Sequence, residues 1–448
     1  MDIETSSPNK VEGSTQARRV PHRWQNLATL TGITVVDNTE HGLSTTLFPS
    51  IAAALHLQSS HLGVLAAIGK FVAVPAGPAW AWLAGRIGRR ETLVTTSIVG
   101  GIFGIAAGFS QDFTQLLIFN ALMSAALIGG GPIAMAIIAD SFEDSQRSKA
   151  AGYFYGFVSL ISAFLGPLIA MFTGLTDGWR YGMWSIGVIC ILAALPVAFL
   201  LKDPGVGASE SQLADLSGRD RVMPKVTVQS VLSLFRIPSF SIMMLSRLLS
   251  GHLLIAVFGI QFLVTERGFT NAVAATVLLP FGVGYFAGTV GGGLLISRLD
   301  KILPHIGRVA YLQGAQIFFA IVAFFATQIR YDGIAVYAIF MVLLGFCQGA
   351  NPPANRPIVA AVVPPELRNQ AFAIFLNVFE TIGWVTFSLG AGILAATLGI
   401  QTVFFWVLVV LMLVNAAVLS SLYFCYPRDV ARNTETLEQR RRDALQEI

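Results

Sequence analysis

Asp37, Glu40 and His41 stand at i, i+3 and i+4 inside a long, mostly apolar run, which sets all three on one face of a helix. A carboxyl group in a low-dielectric setting resists ionisation, so its pKa climbs toward working pH. Such a group can take a proton from one compartment and release it to another. Lys70, Arg247, His252, Arg356 and Glu380 are also set in apolar runs. Asp37 is either a proton carrier or the partner of Lys70, tying two helices together. Glu40, beside His41 and Gly42, reads as a proton carrier, with His41 a lesser candidate. Glu380 is either a coupling group or the counter-ion of Arg247, and His252 reads as a helix-contact residue.

Gln348, Asn351 and Asn355 recur at i, i+3 and i+7 in a stretch interrupted by Pro352, Pro353 and Pro357. Proline removes backbone donors, and unpaired carbonyls in an apolar medium are tolerable only beside protein or a wet cavity. The stripe reads as substrate contact, against the plainer reading of amides joining neighbouring helices. Arg356, in the same stretch, either meets an anionic group or snorkels to a nearby membrane surface. Asn377, Glu380, Thr381, Trp384 and Ser388 share a second polar face, and Tyr155, Ser159 and Ser162 a third. The cavity candidates are thus Lys70, Tyr155, Ser159, Arg247, Gln348, Asn351, Asn355, Arg356, Asn377 and Trp384.

Other chemistry is absent. No Walker loop, dinucleotide fingerprint, Ser/His/Asp arrangement or HExxH pattern occurs. Cys190, Cys347 and Cys425 lack metal-ligand or disulfide spacing. No enzyme, cofactor or metal is expected. The run Arg440-Arg441-Arg442 reads as a solvated or lipid-headgroup contact, not as nucleic-acid binding.

The elements that carry these residues follow from composition. The 448 residues are 54% hydrophobic and 12% charged, with mean hydropathy +0.67. A soluble domain carries about 25% charged residues, so a soluble enzyme, a disulfide scaffold, a coiled coil and a disordered chain are all excluded. A bilayer crossing takes about 20 apolar residues. Twelve such spans are expected. Spans 1–6 lie near 27–55, 61–84, 91–110, 114–139, 150–175 and 182–201. Spans 7–12 lie near 239–264, 272–296, 308–328, 334–363, 371–398 and 400–424. The polar linker 202–238 separates two six-helix bundles, 27–201 and 239–424, flanked by tails 1–26 and 425–448.

With both tails cytoplasmic, basic residues crowd every internal segment, while the external loops hold only Arg180, Arg267 and Arg330. That is the bias expected of a membrane protein. The halves also repeat: Pro353 follows Pro132, and Arg368 follows Arg147, by the same 221 positions. Duplicated six-span halves are a transporter architecture.

After span 2 the chain reads Ala81-Trp82-Leu83-Ala84-Gly85-Arg86-Ile87-Gly88-Arg89-Arg90. This resembles the loop G-x-L-x-D-R-x-G-R-R of the major facilitator superfamily, with Leu83, Arg86, Gly88, Arg89 and Arg90 matching. The resemblance extends over the whole chain in span count and linker position, and Asp140, Arg147, Gly152 and Trp179-Arg180 are also family-like. It implies an all-α fold of twelve transmembrane helices in two pseudo-symmetric bundles. It also implies transport of a small molecule by alternating access. In that family the loop acid helps latch the halves on the cytoplasmic side, and here Ala81 and Gly85 replace the first Gly and the Asp. The texture loosely resembles spinster-like and drug-proton antiporter branches.

A proton-coupled secondary transporter of a small organic molecule is therefore expected, acting as a monomer in the cell membrane. Export by antiport is slightly favoured by Gly166-Pro167, which the antiporter branch also carries. The alternative is uptake of an organic anion by proton symport through Lys70, Arg247 or Arg356. An intramembrane enzyme or receptor is the third reading, disfavoured by the duplicated halves.

Overall fold

Where water cannot reach the backbone, a helix is the one open structure that satisfies its own hydrogen bonds. Accordingly, every regular element among the described residues is helical. The structure is a computed structural model that describes residues 20–57, 60–175, 177–213, 216, 224–304 and 306–446. The side chains of Glu40, His41, Gly166 and Pro167 lie outside the described residues.

Ten of the described helices are long and apolar enough to cross a bilayer. Arg23–Leu55 (span 1) and Asp144–Ala170 (span 5) complete the twelve. Four spans expected to be continuous are broken, span 8 at Leu279 into Asn271–Leu278 and Pro280–Ile302. Span 4 divides into Phe113–Leu127 and Gly130–Ser141, and span 7 into Pro238–Leu248 and Leu254–Thr265. Span 10 divides into Ile334–Gly349 and Pro352–Val362, as its prolines require. Spans 11 and 12 each contain a π-helical turn, Ile374–Phe379 and Phe405–Val410.

Packing is asymmetric between the two membrane faces. One apolar core, around Leu47, Trp179 and Met183, belongs to the first half alone. Another, around Phe262, Phe319 and Phe404, belongs to the second half alone. The third is shared: Ile133, Ile137 and Phe154 of the first half pack with Phe240, Ile358 and Phe372 of the second. The halves are therefore joined toward the face that carries the loop after span 2 and separate toward the other. Beyond span 12, a helix Leu422–Gln446 runs back under the bundle, and its Leu437 packs on Leu213 and Leu216 of the linker.

Candidate functional site

Between the halves lies a cavity of about 210 Å³, walled by spans 1, 2, 4 and 5 on one side and spans 10 and 11 on the other. Asp37, Lys70, Tyr155, Arg356, Asn377, Glu380 and Trp384 all face it, as do Thr34, Asn38 and Thr381. The break in span 4 makes room for one of them. A Cβ on Gly130 would run into the carboxylate of Asp37, and one on Gly129 into Trp80. The glycine run thus permits the close approach of spans 1, 2 and 4.

Lys70 forms no ion pair among the described residues; its Nζ sits 5.7 Å from the ring of Trp384. The Asp37–Lys70 tie is not what positions it. Glu380 instead takes Arg247 as counter-ion, with Arg247 Nε donating to Oε2 at 3.1 Å.

Arg356 does not snorkel. It is 5% exposed and lines the cavity. Its guanidinium lies 4.6 Å from the Tyr155 ring and 5.7 Å from that of Phe375. Nη1 donates to Asn355 Oδ1 at 2.6 Å, whereas Nε has no acceptor and no carboxylate pairs with the group among the described residues. Asn355 is thus the arginine's support.

Five cavity expectations are displaced: Arg247 and Asn355 stand behind the wall, holding Glu380 and Arg356, and Ser159, Gln348 and Asn351 also lie off it. Asn351 accepts a hydrogen bond from Gln316 at 2.6 Å and donates to the Cys347 carbonyl, so it joins spans 9 and 10. Gln348 and Ser159 are half-buried but do not line the cavity. The i, i+3, i+7 spacing holds a common face only along one helix, and the break at Ala350–Asn351 divides the stripe between two.

Closure on the loop face is ionic. Arg89 donates from Nη1 to Asp140 at 2.5 Å and from Nε to Asp203 at 2.9 Å. Arg368, from the other half, donates to the second oxygen of Asp140 at 2.6 Å and also meets Glu210. Arg147 meets Glu210 at 2.6 Å. A second tie joins Arg308 to Asp144 at 2.8 Å and to Asp300 at 2.8 Å. Gly85 leaves the loop without the family's acid, yet the halves are latched through Asp140 and the linker acid Glu210, which both meet Arg368, while Asp203 holds Arg89 on the first-half side. Among the loop residues, Gly88 supplies a turn at φ +102° that glycine alone adopts readily. Arg86 stacks 3.8 Å over Trp82, and Arg90 holds the Ala198 carbonyl. Asp140 and Arg147 were legible as family-like residues; Asp203 and Glu210, in a polar linker, carried no signal that set them apart.

The sequence profile of the Major Facilitator Superfamily matches residues 30–329 and 285–446. The chain belongs to the major facilitator superfamily. Among relatives in this superfamily is the 3-(3-hydroxy-phenyl)propionate transporter of Escherichia coli, 24% identical over 74% of this chain and 76% of the relative. Multidrug resistance protein MdtG of a Rahnella species is 26% identical over 79% of this chain and 80% of its own. In fold, the chain is similar to a proton:xylose symporter, with a TM-score of 0.69 at 14% identity, covering 90% of this chain and 96% of that one. This member of the major facilitator superfamily is thus a multi-pass membrane transporter of a small molecule, not an enzyme.

Proposed function

We propose that this transporter takes up a small organic anion, a carboxylate on an apolar or aromatic body, together with protons. The observation that carries this is Arg356: a buried, cavity-lining cation with an unsatisfied Nε and no carboxylate partner among the described residues. Leaving a charge buried and unpaired costs several kcal/mol, a cost that a bound anion removes. Lys70, from the opposite half, adds a second cation that forms no ion pair among the described residues. The rings of Tyr155, Phe375 and Trp384 beside these cations suit a flat apolar body. A cavity of about 210 Å³ is smaller than the pockets that hold drug-sized ligands, which favours a metabolite.

Energetics favour the proton. With the interior negative, each negative charge entering works against about 2.3 kcal/mol per 100 mV. A co-transported proton cancels that cost. Asp37 and Glu380 are the carboxyls in the cavity wall able to carry it, and Glu40 remains a further candidate. The relative that transports 3-(3-hydroxy-phenyl)propionate points the same way. The multidrug relative favours the second reading, export by antiport.

Proteoliposomes separate the two. Labelled aromatic carboxylate should accumulate when the outside is acidic, alkalinising the medium, and Arg356→Gln should abolish uptake. Undiminished uptake in that variant would sink the anion assignment. Accumulation driven only by an acidic interior would establish export.

A further inference from the structure

A second recess lies away from the transport cavity, between the end of the linker and the C-terminal helix. It has a volume of about 280 Å³ and is walled by residues 233–237 except 235, by the turn after span 10, and by Asp429, Arg432 and Asn433. Arg236 and Arg432 are exposed, and neither forms an ion pair among the described residues. Asp429, the acid in the wall, already accepts the backbone N–H of Ser239 at 2.8 Å. The recess is therefore net basic.

Its rim is apolar. The short helix Val228–Ser233 and the turn Leu234–Arg236 present Val228, Leu232 and Phe235 at i, i+4 and i+7, which are 77%, 61% and 40% exposed. The ring of Phe235 lies 6.0 Å from that of Phe379. Phe379 stands eleven residues past Arg368 along span 11, at the end of its π-helical turn. Phe235 thus points toward span 11, while Arg236 and Arg432 line the recess beside the turn after span 10. An amphipathic segment with an apolar face in lipid and basic residues at headgroup level is an interfacial element.

We propose that this recess binds an anionic phospholipid, with Arg236 and Arg432 holding its phosphate and Leu232 and Phe235 lying along its acyl chains. The apolar stripe selects a lipid over a free anion, because inorganic phosphate gains nothing from it. The bound headgroup bridges the linker and the C-terminal helix, the two segments that also contact each other through Leu213 and Leu437.

The test uses the full-length protein in detergent, titrated with phosphatidylglycerol and followed by native mass spectrometry. The native chain should retain phosphatidylglycerol in preference to phosphatidylcholine of the same chain length. R236Q/R432Q should lose that preference, at roughly fivefold in affinity per arginine removed. R236K/R432K should keep most of it, which separates loss of the site from loss of the fold. Equal retention of phosphatidylglycerol by the native chain and R236Q/R432Q would overturn the proposal. Displacement of the lipid by inorganic phosphate alone would also overturn it, since that marks a site for a free anion.

Discussion

Arg147 and Arg368 occupy equivalent places in the two halves, and both guanidiniums converge on one carboxylate oxygen, Oε1 of Glu210. Each also caps the span before it: Arg147 Nε donates to the Ala139 carbonyl at 2.9 Å, and Arg368 Nε to the Ala360 carbonyl at 3.2 Å. Ala360 follows Ala139 by the same 221 positions that separate the arginines. The repeated halves therefore meet on a residue that belongs to neither of them.

Burial alone would raise the pKa of Glu210, but the guanidiniums of Arg147 and Arg368 outweigh it and hold the carboxyl down at about 2. A depressed pKa stabilises the closed layer fully above the ordinary value of 4.5, and that stabilisation fades as pH falls from there toward 2. Between pH 5 and 8 the clasp should be insensitive to pH. Glu210→Gln should weaken closure by roughly 1–3 kcal/mol. Cysteine accessibility on the loop face should rise accordingly, with the pH profile of transport between 5 and 8 unchanged.

Arg356→Lys keeps a charge but loses the planar fork and its stack on Tyr155. Kd for a carboxylate substrate should rise about tenfold or more, while Arg356→Gln should abolish measurable binding. Isothermal titration with the substrate that the uptake assay identifies reads both.

Removing one member of the Arg247–Glu380 pair leaves the other buried and unpaired. Glu380 is about one-third exposed, so Glu380→Gln should cost about 1–3 kcal/mol rather than the full penalty of a buried pair. R247Q/E380Q should recover most of the lost thermal stability. If Glu380 carries protons, the double variant remains folded but transports without proton flux; persistent proton flux assigns the pair a structural role.

Asp37→Asn should uncouple transport from the proton gradient while leaving exchange of substrate between compartments intact. Proton-linked flux at the native rate in this variant would return Asp37 to a helix-joining role.

Gly85 lies in a helix, and a Cβ there would meet nothing within 4 Å. Gly85→Ala should therefore raise stability by about 0.5–1 kcal/mol through reduced backbone freedom. A lower melting temperature in detergent would show that this position needs its glycine.

The fold was legible because the bilayer imposes one-dimensional rules. Span length, the polar linker and the basic loops are each set by local composition, and the repeat shows in the paired Pro132/Pro353 and Arg147/Arg368. The cavity was legible in part. Lys70, Tyr155, Arg356, Asn377, Glu380 and Trp384 reach it because polar side chains in lipid have few other places to go. Asn351 and Gln348 were misplaced because helical periodicity holds only along an unbroken helix.

By itself, the sequence determined that this chain spans a membrane, that it is duplicated, and that a few ionisable residues lie at depth. Those properties follow from hydrophobicity summed along the chain. Pairing is different in kind, because it depends on which helix faces arrive together. Only the tertiary structure decided that Glu380 forms its ion pair with Arg247, while Arg356, among the described residues, has no carboxylate at ion-pair distance. It also decided that a linker carboxylate, Glu210, joins Arg147 to Arg368 where the loop lacks an acid at Gly85. The low charge content thus resolves into two sets: cations in ion pairs at the loop face, and Lys70 and Arg356 in the cavity wall with no ion pair among the described residues.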